Sequence, residues 1–156
     1  MANSFYSKKV IEHFQNPHNY GKIDNADGIG KVGNVVCGDV MHLYIKVDGK
    51  EVIKDIKFET YGCAAAIATS SVVTDLAKGK TIKQALKIES KDVIKSLGDL
   101  PVVKTHCSLL AVDALVEAVH DYLKKNHKEV PEEIEKKHNI LKKQREEIEE
   151  KYGKGQ

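Results

Sequence analysis

The chain of 156 residues has no tryptophan, three prolines and three cysteines. An odd number of cysteines in a sequence without a secretory signal argues against a disulfide framework as the basis of the fold. No apolar run approaches the roughly 20 residues that cross a bilayer, so we expect no membrane partner. The formal net charge is only +2, and the two signs are interspersed, which argues against a nucleic-acid-binding protein.

The remaining composition is that of an ordinary globular protein. Hydrophobic residues make up 41% of the chain and charged residues 31%, which allows one domain with a core and a short appendage. The first ten residues, M-A-N-S-F-Y-S-K-K-V, have neither the apolar region of a signal peptide nor the Arg-rich pattern of a transit peptide. We therefore expect a cytoplasmic location.

The first third of the chain predicts a helix, a loop and a β-hairpin. Ser4 can cap a helix that ends before Pro17. Residues 16–33 read as a mobile glycine-rich surface loop. It contains G-I-G-K-V-G, but no strand precedes this match to the dinucleotide fingerprint and no helix follows it. Residues 40–47 and 51–58 predict two strands joined by a type I′ turn at Asp48-Gly49, and residues 34–37 predict a third strand.

The rest of the chain predicts helices. Residues 64–78 are small and apolar and end at Gly79, residues 81–86 and 90–97 predict short helices, and residues 107–125 carry an apolar helical stripe. After residue 127 the chain becomes highly charged, with Pro131 at the start of a helix. This last helix is either solvated or a docking surface for a partner or a second subunit. We therefore divide the chain into a domain at 1–126 and a helical extension at 127–156.

The three cysteines occupy settings that suit metal or sulfur chemistry. Cys37 lies between a predicted strand and a glycine, whereas Cys63 and Cys107 lie at predicted helix starts, where a thiolate is stabilised. Asp39 follows Cys37 by two residues and shares its strand face, and His106 precedes Cys107. Such a set can hold tetrahedral zinc, ferrous iron or an iron–sulfur cluster.

Two other interpretations of the thiols remain open. Without a C-x-x-C pair, spacing alone also allows three buried structural thiols or a structural zinc site. A cysteine–histidine hydrolase is disfavoured, because adjacent residues at a helix start diverge by about 100°. His106 is thereby poorly placed to act as a base for Cys107.

Four stretches resemble the IscU/NifU-type iron–sulfur cluster assembly scaffolds. They are F-Y-S-K-K-V-I-E-H-F-Q-N-P-H-N-Y-G, G-N-V-V-C-G-D-V-M, F-E-T-Y-G-C-A-A-A-I-A-T-S-S and L-P-V-V-K-T-H-C-S-L-L-A-V-D-A-L, and the likeness spans about residues 4–126. The resemblance implies an α+β fold with a small three-stranded antiparallel sheet covered by helices. The charged C-terminal helix is additional.

The resemblance also implies a function and roles for residues. Cys37, Cys63 and Cys107 would bind a transient [2Fe–2S] cluster, with Asp39 or His106 as the fourth ligand. Cys107 would receive sulfur from a cysteine desulfurase, the sulfur would combine with iron, and the cluster would pass to apo iron–sulfur acceptor proteins. Such a protein is a scaffold and not a turnover enzyme. Zn²⁺ could occupy the cluster-free site, and a homodimer could bridge the cluster.

Two departures from the family pattern affect the expected partners. The family's chaperone-binding signature is L-P-P-V-K, and this chain has L-P-V-V-K at residues 100–104. Loss of one proline makes the extended conformation that a chaperone's peptide-binding groove recognises less favoured. Delivery through an Hsp70-type chaperone is therefore doubtful. The alternative function is that of a zinc-dependent, SufU-like sulfur relay, a branch that has an insertion between its second and third cysteines and lacks the histidine beside the third.

Overall fold

The computed structural model describes residues 6–34 and 39–152. The elements in chain order are α1 (Lys8–Gln15), β1 (Gly28–Asn34), β2 (Asp39–Val47), β3 (Ile53–Thr60), α2 (Ala64–Ala77), α3 (Ile82–Ala85), α4 (Ser90–Ser96), α5 (Thr105–Lys125) and α6 (Glu132–Tyr152). A 3₁₀ turn at Val102–Lys104 precedes α5. Within the described residues this is an α+β fold with one open three-stranded sheet and six α-helices, as predicted. None of these helices is long and apolar enough to cross a membrane.

The sheet is a meander in which β2 is the central strand. Both neighbours pair with it in antiparallel register, β1 over its whole length and β3 with an irregularity near Val47. One face carries fully buried side chains, and this face packs against the helices. The buried set comprises Met41, Leu43, Ile45, Ile56 and Phe58. The alternation of these residues with polar ones is the pattern that predicted β2 and β3.

The turn between β2 and β3 differs from the type I′ turn that Asp48-Gly49 predicted. The residue with positive φ is Glu51 (φ 61°), and Gly49 does not adopt that conformation. Asp48 organises the turn instead, because its Oδ1 accepts hydrogen bonds from the backbone N–H groups of Lys50 (2.8 Å) and Val52 (3.0 Å). The hairpin was predicted correctly, whereas the turn type was wrong.

β1 lies within the segment that the sequence predicted to be a loop, so that prediction was wrong. The strand pairs with β2 from Gly28 to Asn34, while residues 35–37 of the predicted third strand lie outside the described residues. Its glycines serve close packing on α5. A Cβ at Gly30 would collide with the carbonyl oxygen of Ala114 and lie 2.6 Å from the backbone nitrogen of Ala118.

α1 begins later than the sequence predicted. Its N-cap is Ser7, whose Oγ accepts a hydrogen bond from the backbone N–H of Val10 at 3.2 Å. The same hydroxyl donates to the carbonyl oxygen of Leu97 at 2.6 Å. Ser4, the predicted cap, lies outside the described residues. Ser7 therefore both starts the helix and ties it to the end of α4.

α5 is the central helix of the fold, and α6 packs against its outer side. The 21-residue α5 contacts β1, β2 and α2. Its remaining side carries the buried polar residues Asp113, Glu117 and His120, which pair with Lys137, His138 and Glu135 of α6 respectively. Because the pairing runs in opposite chain directions, α6 is antiparallel to α5. The charged extension thus docks on its own chain through ionic contacts.

Candidate thiol site

The two described cysteines meet at the starts of two helices. Cys63 is the N-cap residue of α2, with extended backbone angles (φ −75°, ψ 179°), and Cys107 is the third residue of α5. Their Sγ atoms lie 3.9 Å apart although the residues are 44 positions apart in the chain. This distance is well beyond the S–S bond length of about 2.05 Å, so the pair is held together by packing. Cys107 is fully buried and Cys63 is partly exposed.

The position of Cys107 depends on contacts between α2 and α5. Thr69 of α2 donates from Oγ1 to the carbonyl oxygen of Cys107 at 3.2 Å. The same hydroxyl lies 3.1 Å from the carbonyl oxygen of Ala66, one turn earlier in its own helix. Since α2 is built from small residues on its buried sides, it approaches α5 closely enough for this contact. The thiol pair is therefore fixed by the core.

His106, a candidate fourth ligand, lies closer to Cys107 than the argument against a catalytic base predicted. Its Nε2 lies 3.6 Å from Sγ of Cys107. The expected divergence of about 100° describes the directions of the Cα–Cβ bonds. The imidazole extends far enough beyond its Cβ to turn back toward the neighbouring sulfur. His106 and Cys107 are thus neighbours in space as well as in sequence.

The two distances match the edges of a metal coordination tetrahedron. Bonds of about 2.3 Å to sulfur and about 2.0–2.1 Å to nitrogen give a sulfur–sulfur edge of roughly 3.8 Å and a sulfur–nitrogen edge of roughly 3.6 Å. The observed edges are 3.9 Å between Cys63 and Cys107 and 3.6 Å between Cys107 and His106. Two thiolates and an imidazole are donors that suit Zn²⁺ and ferrous iron.

Of the two further residues predicted for the site, only Asp39 enters the geometry, and it does so through its backbone. Cys37 lies outside the described residues, and the structure describes the backbone of Asp39 at the first position of β2. The next carbonyl, that of Val40, accepts a hydrogen bond from the backbone N–H of Tyr61 at 3.2 Å. Because Tyr61 is only two residues before Cys63, β2 begins beside the segment that carries the first thiol.

Lys104 is a charged neighbour of the thiols that the sequence analysis missed. The pKa of Lys104 is raised, chiefly by the negative charge of the Cys63 thiolate, with a hydrogen bond to that sulfur and the charge of Cys107 acting in the same direction. Its ammonium supplies positive charge at the thiol pair. Its position three residues before Cys107 could have indicated that Lys104 lies near the thiols, but the stretch L-P-V-V-K was interpreted only as a variant of the chaperone-binding signature.

Exposed apolar side chains flank the thiols in sequence. Val102 is 86% exposed, Val103 67% and Tyr61 77%. The two valines belong to the 3₁₀ turn before α5, so this segment is not in the extended conformation that a peptide-binding groove reads. Neighbouring exposed apolar side chains of this size are typical of surfaces that contact other proteins.

Comparison with known protein families matches residues 5–129 to the NifU-like N-terminal domain. The chain belongs to this family. The family resemblance predicted from the sequence is therefore confirmed, and the match covers every described element from α1 to α5. All of α6 lies beyond it.

Individual members of the NifU-like family agree with this assignment. The chain is 62% identical over 123 residues to "Iron-sulfur cluster assembly scaffold protein IscU 1" of Archaeoglobus fulgidus, covering 79% of this chain and 80% of the relative. It is 50% identical over 123 residues to "Iron-sulfur cluster assembly scaffold protein IscU" of Escherichia coli K12, covering 77% and 95% of the two chains. A crystal structure of a putative iron–sulfur cluster assembly scaffold protein for the SUF system, from Fervidobacterium islandicum AW-1, has a TM-score of 0.62 at 30% identity. That match covers 74% of this chain and 96% of the other.

Proposed function

We propose that this chain is a scaffold on which iron–sulfur clusters are assembled from iron and sulfur. The observation that carries the proposal is the approach of Cys63 to Cys107 at 3.9 Å and of His106 to Cys107 at 3.6 Å, distances that match two edges of a tetrahedral metal centre. The scaffold names of relatives that are 62% and 50% identical to this chain support the same function. The cluster is the product that the protein builds and releases, so the site must bind it without retaining it.

The proposed cluster is a transient [2Fe–2S] cluster bound by Cys37, Cys63 and Cys107. His106 is favoured as the fourth ligand by its 3.6 Å approach to Cys107. Asp39 is the alternative, supported by the position of its backbone at the start of β2. A nitrogen or oxygen ligand binds iron less tightly than a fourth thiolate would, which favours release to an acceptor protein.

Sulfur is proposed to arrive as a persulfide from a cysteine desulfurase. The thiolate of Cys107 attacks the outer sulfur of that persulfide, and the cysteine of the desulfurase leaves as a thiolate. Because Cys107 is fully buried, the structure around its thiol must open to admit the donor. Two such sulfurs need four electrons to become sulfide. Two ferrous ions supply two of them on becoming ferric, and an external electron donor supplies the other two.

The remaining features of the proposal follow from this chemistry. The protein acts with a desulfurase and with apo iron–sulfur acceptor proteins, and it does not itself turn over a substrate as an enzyme does. Thiols that must stay reduced to accept sulfur suit the cytoplasm. The exposed Val102, Val103 and Tyr61 would contact one of these partners. Delivery through an Hsp70-type chaperone is not part of the proposal, and both a monomer and a homodimer are compatible with it.

Anaerobic reconstitution tests the proposal directly. The protein is incubated with ferrous iron, cysteine, a desulfurase and a reductant, and iron and acid-labile sulfide are then measured together with the visible spectrum. We expect iron and acid-labile sulfide in equal amounts, about two of each per [2Fe–2S] cluster formed. We expect the Cys63→Ser variant to form no cluster. Leu109→Ala is the matched control, because this side chain is exposed near the start of α5 and is not a ligand. A colourless protein that binds only zinc would contradict the proposal.

A zinc-dependent sulfur relay is the second candidate, since the Fervidobacterium structure belongs to the SUF system. In a relay, zinc is the resident metal and one thiol carries persulfide, so metal-loaded protein remains active after iron is removed. The close approach of His106 to Cys107 favours the scaffold, because the relay branch is expected to lack this histidine. Sulfur transfer by the zinc-loaded, iron-free protein to a small thiol acceptor would favour the relay.

A further inference from the structure

A second cluster of potential metal ligands lies where α1 and the loop after it meet α2. One donor atom each from His13, His18 and Asp75 lies within 4.8 Å of the others. Asp75 is 12 residues after Cys63, which corresponds to about 18 Å along a helix at 1.5 Å per residue. This cluster is therefore separate from the thiol site. We propose that His13, His18 and Asp75 form a second binding site for a divalent transition-metal ion of the Zn²⁺ or Fe²⁺ type.

The separations among the three side chains require only small side-chain movements to bind an ion. Ligand bonds of about 2.0–2.2 Å place neighbouring donors of a tetrahedral site roughly 3.4 Å apart. The donors here are at most 4.8 Å apart, and the two imidazole centroids are 4.6 Å apart with their planes tilted by 49°. Side-chain rotations that draw the farthest donors together by up to about 1.4 Å, and that lengthen the 2.6 Å contact between His18 and Asp75 by about 0.8 Å, form the site.

Asp75 and His18 already face each other. Asp75 Oδ2 lies 2.6 Å from His18 Nδ1, so both atoms can bind one ion that replaces the proton between them. A carboxylate oxygen and an imidazole nitrogen are both common ligands of protein-bound zinc. Asn19 steadies the carboxylate in turn, since its Nδ2 donates to Asp75 Oδ1 at 3.3 Å. Asn19 holds this position in a left-handed conformation (φ 60°).

Ser71 fixes the two histidines relative to each other. Its Oγ accepts the backbone N–H of His18 at 2.8 Å and lies 2.7 Å from Nδ1 of His13. Ser71 is itself fully buried in α2. One buried hydroxyl thus places both rings against the same stretch of helix. Such preorganisation reduces the ordering cost that a metal site on a mobile surface would carry.

The donor set and its exposure indicate which ion the site takes. Two imidazoles and one carboxylate suit Zn²⁺ and Fe²⁺, whereas Mg²⁺ and Ca²⁺ prefer oxygen ligands throughout. His18 and Asp75 have side chains that are 45% and 42% exposed. Water can therefore complete the coordination, and the ion can exchange with solution. The site is suited to holding an ion reversibly.

Zinc binding to the reduced 156-residue protein tests this site, with equilibrium dialysis and metal analysis as the readout. We expect His18→Gln and Asp75→Asn to bind one zinc ion fewer per chain than the wild type, or to bind that ion at least tenfold more weakly. His127→Asn is the matched control, since His127 is exposed and in a left-handed conformation that asparagine tolerates. We expect it to bind as the wild type does.

A double cysteine variant distinguishes zinc binding at this site from zinc binding at the thiol site. Cys63→Ser combined with Cys107→Ser removes two thiol ligands, and we expect it to keep one zinc equivalent that is then lost on adding His18→Gln. If His18→Gln and His127→Asn bind zinc identically in both backgrounds, the cluster only ties α1 to α2 and the proposal is overturned. Failure of the thiol site to assemble a cluster leaves this result unaffected.

Discussion

Replacing Gly30 with alanine tests whether β1 is held in place by direct contact with α5. A Cβ at this position would collide with the carbonyl oxygen of Ala114 and lie 2.6 Å from the backbone nitrogen of Ala118. Ordinary contact begins at about 3.5 Å, so the strand must retreat by roughly 1 Å. Both obstacles are backbone atoms inside a helix, and no side-chain rotation removes them.

The expected cost of Gly30→Ala lies at the upper end for overpacking, at about 3 kcal/mol of unfolding free energy. Part of this cost is dispersion energy, because a gap of 0.5–1 Å forfeits a quarter to a half of each contact. For a chain of this size such a loss lowers the Tm by roughly 10 °C. Urea unfolding followed by circular dichroism measures the change, together with a thermal scan.

Gly49→Ala provides the matched control for this experiment. A Cβ at Gly49 would meet nothing within 4 Å, and its φ is not in the left-handed region. We expect a change of less than about 1 kcal/mol, in the stabilising direction if the unfolded chain loses entropy. The reasoning is refuted if the two alanine variants have unfolding free energies within about 1 kcal/mol of each other.

Three further predictions concern individual side chains. Burial and a 2.9 Å hydrogen bond to Glu59 raise the pKa of Tyr44 to about 12. The stability that this raised pKa contributes is therefore complete below about pH 10 and is lost between pH 10 and 12. Tyr44→Phe should flatten that part of a curve of unfolding free energy against pH. His138→Ala removes the partner of the buried Glu117 and should lower the unfolding free energy, measured in urea, by about 1–2 kcal/mol. The control Lys136→Ala breaks an exposed pair with Glu132 and should change the unfolding free energy by less than about 0.5 kcal/mol. Lys104→Ala removes the cation beside Cys63 and should slow the alkylation of Cys63 by iodoacetamide at least twofold. Mass spectrometry measures the rate, and the control Lys87→Ala should leave it unchanged.

Elements with a strong local pattern could be predicted from the sequence. The alternating apolar residues of β2 and β3, and the small apolar run of α2, indicate their conformation without knowledge of the rest of the fold. The helix start at Cys63 was predicted in the same way, whereas α5 begins at Thr105, two residues before the predicted start at Cys107. These local signals sufficed for the fold class and for the setting of two of the site residues.

β1 could not be predicted because its conformation depends on its neighbours. G-I-G-K-V-G has three glycines in six residues, and glycine is depleted in strands. The segment is a strand because β2 pairs with all of it and α5 presses on one face. The side chains that a strand normally needs would occupy the space of the α5 backbone. Here the local preference and the tertiary packing disagree, and packing decides the outcome.

The approach of Cys63 to Cys107 is likewise a consequence of the core. The buried residues of α2 are all alanine, serine, threonine or valine, so its axis can lie close to α5. That closeness lets Thr69 bond to the carbonyl oxygen of Cys107 at 3.2 Å, and it leaves the two sulfurs 3.9 Å apart. A larger side chain at Thr69, which makes this contact with α5, would separate the helices and lengthen the sulfur–sulfur edge. The metal-binding geometry therefore depends on side-chain volume in α2 as much as on the ligands themselves.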